Sequence, residues 1–82
     1  MSPSKIFYAN VLFKQLVENW CDDKGFDAQE TIAMHMEERF EVKIIHILEV
    51  ENEGEWLILR MTTDLWQEPR EFALLSSGTL AW

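Results

Sequence analysis

One cysteine, Cys21, is all the thiol chemistry this 82-residue chain carries. A lone thiol closes no internal disulfide, so the fold is not stapled and a reducing, cytoplasmic compartment is expected. No apolar run approaches the roughly 18 residues a membrane helix needs. The start, MSPSKIFYAN, lacks a basic segment followed by an apolar stretch and a small-residue cleavage site, so no secretory leader is expected. Basic residues are also scarce: 7 against 15 acids, for a net charge of −8. Lys5, Lys14, Lys24, Arg39, Lys43, Arg60 and Arg70 stand singly. Direct binding to nucleic acid or to an anionic membrane surface needs a basic footprint, and none is present. The charge suits basic or neutral protein partners.

Catalytic and cofactor patterns are missing as well. The chain has no Gly-rich phosphate loop, no Cys-x-x-Cys, no His-Glu-x-x-His and no Gly-x-Ser-x-Gly. No cofactor is expected from it. Calcium loops use Asp-x-Asp-x-Asp-Gly, which is also absent, and no metal site is expected. Cys21 next to Trp20 suits an inert, buried thiol. His46 interrupts an apolar strand, where one backbone partner or a place at the sheet rim would satisfy it.

Apolar residues, by contrast, are plentiful, at 48% of the chain with four tryptophans. From Pro3 to Lys24 the residues Ile6, Ala9, Leu12, Phe13, Leu16, Val17 and Trp20 recur at helical spacing. This predicts a first helix capped by Ser2, with Pro3 in its first turn. Gly25 fits the left-handed residue that ends it, and Phe26 the apolar contact that follows. Asp27 with Glu30 reads as a capping-box variant opening a second helix. In that helix Ala28, Ile32, Ala33, Met36 and Phe40 form the stripe, with Glu30, Glu37 and Glu38 opposite.

After Glu41 the period changes to two. Strands are predicted over 42–50, 55–63 and 70–76, with ENEG (51–54) as the first hairpin loop. Gly78 breaks the third strand, and TLAW supplies a short fourth strand or a tail. The predicted fold is one small α+β domain over 1–82, with two N-terminal helices on a three-stranded antiparallel meander, ααβββ. With 51–54 as the loop, Val42, Ile44, His46, Leu48 and Val50 share the core face with Leu57, Leu59 and Met61. A one-residue change of phase would swap a strand's faces.

This scheme leaves large side chains unassigned. Phe7, Tyr8 and Val11 fall off the first helix's stripe, and Met34 stands among glutamates. Trp56 lies on the outer sheet face, Trp66 sits in a loop beside Pro69, and Trp82 closes the chain. Rings and methionine in excess of the core are typical of interface centres. Glu49, Glu51 and Glu53 alternate along the hairpin and, with Glu37 and Glu38, form the candidate acidic contact set. These residues are the expected partner-binding positions. The function that fits is a non-enzymatic interaction module: an adaptor, regulator or inhibitor that binds another protein, with a homodimer as one arrangement. One alternative is a phage-type inhibitor presenting those carboxylates to a basic nucleic-acid-binding site. The other is a small enzyme using Cys21 or His46.

Overall fold

The computed structural model describes residues 3–81 of the chain. The first element is a strand, not a helix: β1 covers Lys5–Tyr8. Helix α1 follows at Val11–Lys24 and α2 at Ala28–Phe40. Four strands come next: β2 (Ile44–Asn52), β3 (Trp56–Thr63), β4 (Arg70–Leu75) and β5 (Leu80–Ala81). With β1 they form one five-stranded sheet in the order β1-β2-β3-β4-β5. The class is α+β and the meander is present. The three-stranded ααβββ expectation is corrected at its front, because β1 precedes the helices and pairs in parallel with β2. A parallel neighbour requires a crossover, and α1 and α2 supply it.

The boundary between β1 and α1 falls at Asn10. Lys5, Ile6, Phe7 and Tyr8 alternate in exposure, as one edge strand does. The true N-cap of α1 is Asn10, whose Oδ1 accepts from the Phe13 N–H at 2.9 Å. Ser2, the expected cap, lies outside the described residues. The other end of α1 is as read: Gly25 is left-handed at φ 86°, its N–H donates to Asp22 O, and Phe26 N–H donates to Cys21 O. Asp27 does sit at the N-cap of α2, but its side chain makes no capping bond.

Both helices bury their stripes against one face of the sheet. Val17, Trp20 and Cys21 of α1 and Ala28, Ile32 and Met36 of α2 join Ile45, Ile47, Leu57, Leu59, Met61, Phe72, Leu74 and Leu80 in one cluster. The face assignment for β3 therefore holds, while that for β2 is reversed along its first half. Ile45 and Ile47 are buried and Ile44 and His46 are exposed. The reason is a bulge: Ile47 pairs with Met61 and Glu49 with Arg60, so Leu48 is the extra residue. Beyond it, Val50 opposite Leu59 returns to the core side. A pattern counted back from Val50 is one residue out of phase before Leu48.

The loop after β3 is tied to the entrance of β2. Asp64 Oδ1 accepts from the N–H groups of Lys43 (2.9 Å) and Ile44 (3.2 Å). Those two bonds hold the Asp64 carboxyl below its ordinary 3.8. A depressed folded pKa adds stability above the unfolded value and loses it as pH falls through the folded one. Asp64→Ala should thus lower the urea midpoint at about pH 6, and the difference from the parent should shrink as pH falls below 3.8 and through the folded pKa. An offset that persists into acid would contradict a charge-based role.

Candidate functional site

Among the described residues no element covers the face of the sheet away from the helices. Lys5, Phe7, Ile44, His46, Glu49, Glu51, Trp56, Arg60 and Glu71 on it are exposed, and Ile58, Thr62, Ala73 and Leu75 half-buried. It is apolar at two places. Phe7 is 49% exposed and stacks on His46, its register partner, with ring centroids 5.4 Å apart; Ile44 lies two residues from His46 on the same side. Trp56 is 44% exposed and pairs with Leu75.

Between these places runs a charged band. Arg60 has Glu49 as cross-strand neighbour on one side and Glu71 on the other. With Phe13, Val50, Glu51 and Ile58 these residues line a groove of about 410 Å³. A second groove, of about 470 Å³, follows the outer edge of β1. Ile6, Phe7 and Tyr8 line it from the strand, Asn10, Val11, Lys14 and Glu18 from the start of α1, and Gln29 from α2. Gln29 Nε2–H also donates to the Ser4 carbonyl at 3.1 Å, fixing α2 to the start of β1.

The expected contact residues fall in several places. Phe7, Tyr8 and Val11 share the β1 groove, with Tyr8 half-buried beneath it. Burial, with Glu18 and Cys21 nearby, pushes the Tyr8 hydroxyl up to about 12. Trp56 is on the open face, and Met34 is exposed on α2. Trp66 is half-buried rather than free: it meets Phe40 edge-on at 4.9 Å, stacks near Phe72 at 6.0 Å and carries the Arg70 guanidinium at 4.2 Å. Trp82 lies outside the described residues.

The glutamates do not form one surface. Glu49 and Glu51 face outward on the open sheet, and Glu53 is at the hairpin tip. Glu38 is exposed on α2, whereas Glu37 is buried, 6% exposed. Glu37 is four residues after Ala33, so it stands on the same helix flank as that buried alanine. The two catalytic candidates are on opposite sides of the sheet. Cys21 is buried in the helix-covered core, where burial, then Asp22 and Asp27, push its thiol up to about 11. His46 is on the open face with Phe7.

Sequence reasoning missed Ile6, Lys14, Glu18, Gln29 and Ile44 as site neighbours. The signal for Ile44 was the alternation itself, read in the wrong phase. Among the described residues no helix is long and apolar enough to cross a membrane. Comparison of the chain with protein-family models, with curated proteins and with solved structures finds no match.

Proposed function

We propose that this chain is a non-enzymatic module that binds another protein through its open sheet face and the adjoining β1 edge. The observation that carries this reading is the uncovered sheet face with Phe7, Ile44 and Trp56 exposed on it. A sheet normally has its apolar side chains covered by another layer, and the helices here cover one face only. Aromatic side chains set around charged ones match the make-up of an interface, with rings as anchors and charges as rim. The net charge of −8 favours a basic partner and speeds its approach.

The test is affinity capture with the parent chain and with Phe7→Asp and Trp56→Asp, followed by titration of the captured protein, purified. Both substitutions are at exposed positions, so circular dichroism should be unchanged. Binding should weaken at least about thirtyfold for a substitution at an anchor. A partner that binds both variants as tightly as the parent would refute the face as the binding surface.

A further inference from the structure

The β1 edge identifies the form of partner that the open face alone does not. This inference rests on the protein-binding reading above. The N–H groups of Lys5 and Ala9 donate to the carbonyls of Lys43, just before β2, and Ile47 within it. In a parallel ladder the backbone groups of alternate residues point the same way, so Lys5, Phe7 and Ala9 face β2. Ile6 and Tyr8 then present their N–H and C=O outward, and among the described residues no strand pairs with β1 on that side. No turn, cap or loop bond among the described residues uses them. Native edges are usually blunted by charge, proline or a cover. Here the single charged residue, Lys5, is at the start, and the rest of the strand is apolar or aromatic. The second groove runs beside these unpaired groups, with Val11, Lys14 and Glu18 of α1 as its far wall.

We propose that β1 takes an extended segment of the partner as a sixth strand, carrying apolar side chains at alternate positions. The backbone groups of Ile6 and Tyr8 bond its main chain. Side chains on one side of the segment enter the groove beside Tyr8 and Val11, and those on the other reach Phe7 on the open face. Main-chain pairing gives affinity and alternate pockets give selectivity in this mode of recognition. Two observations favour a partner segment over a second copy. Two copies would each bring a charge of −8 to the contact. Four residues of β1 also offer far less than the roughly 800 Å² per partner of a stable interface. A short segment brings no such charge, and backbone pairing with alternate side-chain pockets is the scale of contact that this edge offers.

The probe is a displayed library of random linear 12-residue peptides, selected on the full chain. Enriched peptides should carry apolar residues at every second position, and the best of them, made synthetically, should bind in fluorescence anisotropy. N-methylation along that peptide should weaken binding about tenfold at every second amide and leave the amides between unaffected. Ile6→Pro removes an outward N–H while sparing the bonds to β2, since edge strands accept proline. It should weaken the same peptide by a similar factor with circular dichroism unchanged. If that variant misfolds, the methylation pattern on the parent chain still decides. No enriched peptide, or binding without the two-residue period, overturns the proposal. So does dimerisation of the chain that Ile6→Pro abolishes, which would make a second copy the occupant. A captured partner that depends on Phe7 and Trp56 but ignores Ile6→Pro would refute the sixth strand and leave the protein-binding reading standing.

Discussion

Phe72→Ala should lower stability by about 3–5 kcal/mol, the range for emptying an aromatic site in a packed core. Phe72 is 1% exposed and stands where three parts of the chain meet: Phe40 from α2 at 6.0 Å, Trp66 from the β3–β4 loop at 6.0 Å, and β4 itself. Aromatic pairs at such spacings add to the area term, and both lose their partner together. Domains of this size have a total margin of about 5–15 kcal/mol, so a large part of it would go. The melting temperature should fall by at least about 12 °C and the urea midpoint should shift at constant slope. Phe72→Leu, which leaves less void, should recover more than half of the loss. Equal losses for the two variants would mean that the site collapses around either side chain and that the ring cluster is not specific.

Leu80→Asp should unfold the protein at neutral pH. Leu80 is buried against Leu74, its partner in the β4–β5 pair, and its carbonyl accepts from Arg39 Nη1–H at 2.7 Å. Losing the apolar burial removes about 2–3 kcal/mol, and a desolvated carboxylate adds several more. The charge also gives the variant a pH signature. A buried carboxyl has a folded pKa raised above its unfolded value, so the protonated form folds better. Stability should return as pH is lowered from neutral towards about 4 and fall again in stronger acid, where Asp64 loses its charge. Leu80→Asn should be destabilised without the partial recovery. Native circular dichroism for Leu80→Asp at pH 7 would show that the last strand is dispensable.

What the sequence made legible follows the range of the interactions involved. The end of α1 is decided within six residues, Cys21 to Phe26, and a glycine followed by an aromatic announces it. The limits of α2 are local in the same way. The strand β1 is different, because four residues that alternate also fit a helical period when the following segment is helical. Ile6 and Ala9 match the spacing of Leu12, Phe13 and Leu16, and only pairing with Ile44–Ile47, far along the chain, decides between them. The site inherits that difficulty. Its groove exists because β1 lies at the edge, which no local pattern records. Trp66 was legible as a large ring in a loop but not as part of a cluster, since Phe40 and Phe72 meet it only through the fold.

Leu48 stands outside the ladder, so β2 can lose that one residue without either half of the strand changing sides. A homologue of different length there would keep Ile45, Ile47 and Val50 inward. An alignment that refuses a single-residue gap between Ile47 and Glu49 would instead set its inward residues against outward ones. Similarity along this strand would then look random, though the folds were the same. Searches for relatives should allow that gap and score the two halves of β2 as separate blocks.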